Sequence, residues 1–215
     1  MPFMDPLPYQ ADKAALRGQL RARRRSVSPA QRRLAGKALV RQALRNRLLA
    51  AGKRMGFYIP ANAEIDILPL LQRAYALGVQ CFLPIVPKRG QRKLWFAPLD
   101  HQAHRVQHWR LNRFGIQEYH PPVSLRLRGR QLQRLFLPLL GFDRNGNRMG
   151  MGGGFYDASL AYRKARTCWL QPDLVGVAYA AQEVARLPRD PWDVPLNGVL
   201  TEQGLIRPVI SSDTP

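Results

Sequence analysis

The chain has 215 residues, enough for one well-filled domain and only a small second one, and 46% of them are hydrophobic, so a substantial core is available. Against 34 Lys+Arg stand 14 Asp+Glu, a net charge of +20, which points to polyanionic partners: phosphorylated or carboxylated small molecules, or nucleic acid. No apolar run approaches the eighteen or so residues needed to cross a bilayer, and MPFMDPLPYQ lacks the features of a signal peptide. Cys81 and Cys168 sit in no C-x-x-C or Cys/His cluster, so the expectation is a reduced, cytoplasmic protein, and the one-sided charge favours a monomer.

Residues 1–10 carry three prolines and read as a lead-in. From Asp12 the pattern turns helical, with Leu16 and Leu20 four apart on a strongly basic segment. Lys13 and Arg17, one turn apart, either face solvent or reach a common anion. Ser28-Pro29-Ala30-Gln31 is a helix start with an N-cap serine, proline at the first position and glutamine at N3. That helix is expected to run to about Ala50, with Leu34, Ala38, Leu44 and Leu48 on its apolar side and Gly52 ending it.

Residues 55–59 (MGFYI) read as a strand, and a helix is expected over residues 68–77 with Gly78 beyond it. Glu64 and Asp66 lie between the two. They are either helix-dipole carboxylates or substrate ligands on a loop at the C-terminal end of a strand, where open α/β sheets bind ligands. Strands follow at 79–85 and 93–96, paired across a basic turn at 88–92. Residues 98–122 are less regular; Trp109 and Phe114 are candidates to wall a pocket for a flat ring. His101, His104 and His108 have helical spacing, yet no carboxylate or cysteine pattern beside them supports a metal site.

A basic stretch at 123–133 leads into a buried strand at 135–140 (LFLPLL), and further strands are expected at 174–178 and 199–202. Strands alternating with helices predict an α/β layered domain with a largely parallel sheet, spanning residues 11–208 with a short tail at 209–215.

Between the strands at 135–140 and 174–178 runs GFDRNGNRMGMGGGFYD, with a helix expected over 158–166. Gly150, Gly152, Gly153 and Gly154 let backbone N–H groups approach an anion with no Cβ in the way. Arg148 adds a charge able to fork onto phosphate oxygens, and Asp157 supplies a carboxylate of the kind magnesium accepts while keeping waters. No Lys-Ser or Lys-Thr follows the glycines and their spacing is not G-x-G-x-x-G, so neither a P-loop nor a dinucleotide fingerprint is present. A merely mobile loop is the alternative.

Laid side by side, these pieces resemble the 5-formyltetrahydrofolate cyclo-ligase (5,10-methenyltetrahydrofolate synthetase) family. The matches run in order: Lys13, Leu16 and Arg17; Tyr58 with Glu64, Ile65 and Asp66; Phe114-Gly115-Ile116-x-Glu118; the block from Pro138 to Asp157; then Gln182, Leu187-Pro188, Trp192-Asp193 and Val199-Leu200-Thr201-Glu202. The departures are Ile67 for a usual threonine, Tyr119 for a proline, no aspartate opening the strand before the glycine loop, and Ala158 for a basic residue.

The resemblance implies ATP-dependent closure of 5-formyltetrahydrofolate to 5,10-methenyltetrahydrofolate, with release of ADP and phosphate. It implies a three-layer α/β/α sandwich similar to ribose-5-phosphate isomerase and CoA-transferase domains. By the same resemblance, Lys13, Arg17 and the stretch Arg148, Gly150, Met151, Gly152, Gly153, Gly154, Phe155 and Tyr156 hold ATP, with Arg148 also catalytic. Asp157 and Asp193 hold Mg2+. Tyr58 and Glu64 bind the folate, Glu64 at the amino-pyrimidine edge, together with Met151, Gly152, Gly153, Gly154 and Phe155. A basic RNA-binding protein on the same scaffold, or a relative using a different substrate, is the alternative.

Overall fold

The computed structural model describes residues 8–99, 108–166, 168 and 170–208, with only the backbone given for 8–12. Its centre is a seven-stranded sheet of β1 (Arg54–Gly56), β2 (Gln80–Ile85), β3 (Trp95–Pro98), β6 (Arg134–Pro138), β9 (Asp173–Val177), β10 (Gly198–Leu200) and β11 (Leu205–Ile206), ordered β11-β10-β9-β6-β1-β2-β3. The five inner strands are parallel; β3 and β11 pair antiparallel at the edges. Two small hairpins stand apart, β4 (Trp109–Leu111) with β5 (Gln117–Tyr119), and β7 (Gly141–Phe142) with β8 (Arg148–Met149).

Alternation along each strand sorts the core into two layers. Met55, Cys81, Leu83, Phe136, Val175 and Val177 face α2 (Pro29–Arg45) and α3 (Leu68–Ala76). Phe82, Leu135, Leu137, Leu174 and Val199 face the other way, onto Leu160 of α4 (Phe155–Leu160), Leu132, Phe142 and Leu196. The α/β sandwich expected from the alternating pattern is therefore present. Its far layer is thin, because α4 continues only as a 3-10 turn, Ala161–Ala165, and further 3-10 turns replace long helices.

Helix boundaries moved for local reasons. α1 (Pro8–Ser26) begins inside the expected lead-in, with Pro8 at its first position, where a missing N–H costs nothing. α2 has the Ser28/Gln31 capping box but stops at Arg45, since Arg47 takes a φ of 52°. Its buried face is Ala35, Ala38, Leu39 and Ala43; Leu34 and Leu44 point outward, 66% and 40% exposed. Small residues are needed there, as a Cβ on Gly36 would come within 3.1 Å of the Asp66 carbonyl oxygen. The strand expected at 55–59 ends at Gly56; Phe57 still donates its N–H to the Phe82 carbonyl at 2.8 Å, and Phe57 and Tyr58 are both buried. The helix expected at 158–166 starts three residues earlier. His101 and His104 lie outside the described residues.

α1 lies against the β7–β8 hairpin, with Leu20 fully buried among Leu140, Met149 and Leu187. Lys13, Arg17, Leu20 and Arg24 fall on one face at a 3.6-residue period, so docking Leu20 turns all three cations inward.

Candidate active site

Neighbours in the sheet diverge at β1 and β6: the chain leaves β1 toward β2 on one side, while β6 leads to β9 on the other. Loops leaving the carboxyl ends of such a strand pair open a crevice, the usual ligand position in open α/β sheets. Tyr58 follows β1 and Pro138 ends β6, and both line it.

Two cavities meet there. One, of about 220 Å³, is lined by Lys13, Arg17, Arg148, the five residues 150–154, Asp157 and Asp193. The other, of about 350 Å³, is lined by apolar groups including Ile59, Pro84, Val86, Leu94, Phe114 and Ile116, and by Tyr58. They share Glu64, Pro138, Met151, Gly153, Phe155 and Tyr156 as a common wall.

The glycine loop keeps its shape through backbone angles that only glycine adopts without strain: φ is +97° at Gly152 and +65° at Gly154. A Cβ on Gly153 would stand 2.8 Å from the Phe155 ring, whereas one on Gly150 would meet nothing within 4 Å. Arg17 reaches across from α1 to donate to the Gly150 carbonyl at 3.3 Å. Arg148 Nη2 meets Asp157 Oδ1 at 2.5 Å, and its Nη1 donates to the Val194 carbonyl. The Val194 N–H in turn donates to Asp157 at 3.3 Å, which brings the segment carrying Asp193 against the loop. Lys13 pairs with Asp190 at 2.7 Å.

Among the described residues no group of three His, Cys, Asp or Glu side chains could cage a metal alone. Magnesium asks for less, one or two carboxylates completed by waters and substrate phosphates. Asp157 and Asp193 line the same cavity and suit that requirement.

Glu64 is held differently from a helix-dipole carboxylate. Its Oε2 accepts the Ala61 N–H at 3.0 Å and closes a turn in which Asn62 and Ala63 both have positive φ. Burial pushes its carboxyl above the usual range, against the opposing pull of the Ala61 N–H and of Arg24. The carboxylate at the start of α3 is that of Asp66, one residue before the N-cap Ile67; it accepts the Leu68 N–H at 3.0 Å. Tyr58 donates to the Ile65 carbonyl at 3.1 Å and holds the same loop from below.

Phe114 reaches the apolar cavity on the tip of the β4–β5 hairpin, edge-on to Phe155 at 5.9 Å. Trp109 does not: it packs on Tyr119, ring centres 5.5 Å apart, because its register on β4 turns it to the core. Several residues of the resemblance prove to be ties between loops. Asp143 accepts N–H groups of Asn145, Asn147 and Leu187, Gln182 donates to the Leu139 and Leu140 carbonyls, and Glu202 accepts the Ala180 N–H. Sequence reasoning missed Asp190, a lone acid beside a proline, and gave Arg24 no role beyond the basic face it shares with Lys13 and Arg17.

A sequence model of the 5-formyltetrahydrofolate cyclo-ligase family matches residues 9–202. The chain is 32% identical over 187 residues to the 5-formyltetrahydrofolate cyclo-ligase of Haemophilus influenzae, covering 86% of this chain and 95% of that protein. Against the 5-formyltetrahydrofolate cyclo-ligase of Escherichia coli K12 it is 31% identical over 185 residues, covering 85% and 96%. In structure it is similar to the 5,10-methenyltetrahydrofolate synthetase of Aquifex aeolicus, with a TM-score of 0.71 at 26% identity over 94% of this chain and 96% of that one. With the whole domain matched in both sequence and shape, the chain is an enzyme that belongs to the 5-formyltetrahydrofolate cyclo-ligase family.

Proposed function

We propose that this enzyme converts 5-formyltetrahydrofolate to 5,10-methenyltetrahydrofolate at the expense of ATP, with the nucleotide phosphates in the cation-lined cavity and the pteridine in the apolar one. Membership of the family supports an ATP-dependent folate cyclisation. The observation that carries the finer reading is the common wall: Gly153, Phe155 and Tyr156 border both cavities, so two ligands bound there meet across the glycine loop.

An amide-like formyl group is a poor electrophile with a poor leaving group. In the reading proposed here its oxygen attacks the γ-phosphorus, and the bond to the ADP oxygen breaks. N10 of the folate then forms a bond to the formyl carbon, the carbon–oxygen bond breaks, phosphate departs and N10 loses its proton. No nucleophilic side chain is required; alignment and charge stabilisation are. Lys13 and Arg17 would hold phosphates from α1, the N–H groups of residues 150–154 would line them, and Arg148 would neutralise charge developing on the transferred group. Magnesium, held by Asp157 and Asp193, would supply further charge neutralisation at the phosphates. Glu64 would accept hydrogen bonds from the amino-pyrimidine edge, with Tyr58, Met151 and Phe155 against the ring and formyl end. By the family resemblance we also read the fold as kin to ribose-5-phosphate isomerase and CoA-transferase domains, and by composition the protein as a cytoplasmic monomer.

The test is to mix the protein with ATP, magnesium and 5-formyltetrahydrofolate and follow the near-ultraviolet absorbance of the methenyl product. Growth of that band with equimolar ADP is expected, and none when ATP is left out. A folded protein that binds RNA and gives no band would overturn the proposal.

A further inference from the structure

One buried cation has no place in the scheme above. Arg24, near the end of α1, is 2% exposed, and its Nε and Nη1 make no hydrogen bond. Its contacts are loose: Nη1 stands 3.5 Å from Glu64 Oε1, and Nη2 lies 4.0 Å from the Met151 sulfur. Leaving buried guanidinium donors unmade is costly, and nothing in the packing of Leu20 requires a charge one turn further on. Arg24 lines neither cavity; Glu64, between it and the crevice, lines both.

We infer that Arg24 is a positioning residue for Glu64, a fixed counter-charge behind the carboxylate that keeps it ionised and aimed at the crevice while touching no ligand itself. The inference rests on the reading that Glu64 receives the folate ring. The ionisable groups facing the carboxylate are Arg24 from α1, Tyr58 after β1 and Tyr156 from α4, with the Tyr179 hydroxyl 3.5 Å from the Glu64 carbonyl. Burial and the neighbouring Glu64 raise both Tyr58 and Tyr156, so these stay neutral, and Arg24 is the cation that offsets the buried carboxylate. Burial lowers Arg24 in turn, with Glu64 opposing that shift, as a mutually dependent pair requires. Through Met151 the same guanidinium also touches the glycine loop, so α1 holds both halves of the crevice from one face.

The experiment compares wild type, Arg24→Met, Arg24→Lys, Glu64→Gln and the double variant. The readouts are a pH titration of the 13C-labelled Glu64 carboxyl and the dissociation constant for 5-formyltetrahydrofolate without ATP. Arg24→Met is expected to move the Glu64 midpoint upward by about one unit or more, the scale for losing an opposite charge at this range. At a pH below the wild-type midpoint, folate binding should weaken about tenfold, the equivalent of one unit. Arg24→Lys should recover most of the loss, and in Glu64→Gln the Arg24 change should add little. An unmoved midpoint, or an unchanged dissociation constant at that acid pH, in folded Arg24→Met overturns the assignment. So does a loss of equal size in the Glu64→Gln background, which marks a merely structural role. Were wild type to show no folate binding, the proposed function would fall, while the ligand-free titration would still decide whether Arg24 holds Glu64.

Discussion

Arg148 and Asp157 stand on opposite flanks of the glycine loop and meet at 2.5 Å, and both are tied to the peptide of Val194. The loop is thus closed into a ring by one ion pair and one neighbouring strand of chain. That ring presents a guanidinium and a carboxylate side by side to the cation-lined cavity.

Replacing Arg148 by alanine removes the proposed phosphate clamp. Turnover should fall by about 3 kcal/mol in the transition state, roughly a hundredfold, with a smaller change in the KM for ATP. Steady-state kinetics on both substrates would check this; a pure KM effect would assign Arg148 to ground-state binding alone.

Asp157→Asn keeps the shape and removes the charge. Methenyl formation should be abolished while circular dichroism stays that of wild type, because Asn still accepts the Val194 N–H. Full activity in the folded variant would contradict the metal role.

The glycines separate ligand approach from internal packing. Gly150→Ala meets no protein atom within 4 Å, so the fold should be unchanged and any rise in the KM for ATP would report a ligand pressed against that backbone. Gly153→Ala must displace the Phe155 ring, and should weaken both substrates because that ring borders both cavities. Unchanged kinetics in both variants would mean that nothing binds along the loop.

Glu64 is acceptor-only, and carries the charge that strengthens bonds from a ligand's N–H groups, only when ionised. Its carboxyl is raised by burial, so folate affinity should hold above that raised value and decline as pH falls through it, earlier than the ordinary glutamate value of about 4.3 would give. In Glu64→Gln the decline should vanish and affinity should be low throughout. Folate binding measured from neutral to acid pH tells the two profiles apart.

The parts of the fold that local chemistry decides were readable in advance. Ser28 and Gln31 cap α2 reciprocally, as their spacing demands, and the apolar run before the glycine loop supplies a parallel inner strand. What depends on a distant partner was not readable. The buried side of α2 is its alanine side, where Gly36 lets the helix approach the Asp66 loop; of the expected Leu34, Ala38, Leu44 and Leu48, Ala38 and Leu48 are buried while Leu34 and Leu44 face outward. Three-residue strands such as β4 and β5 are too short to show a period, so the hairpin carrying Phe114 went unseen. Arg23, Arg24 and Arg25 look alike in sequence, and only the docking of Leu20 decides which one is buried.

The claim that two ligands share one glycine loop is tested most directly by a crystal structure with 5-formyltetrahydrofolate, magnesium and a non-hydrolysable ATP analogue. The account predicts the terminal phosphate beside Arg148 and residues 150–154, the pyrimidine edge on Glu64, and the formyl oxygen facing the phosphate across Gly153. A folate bound away from Glu64, or a nucleotide away from the loop, would contradict it.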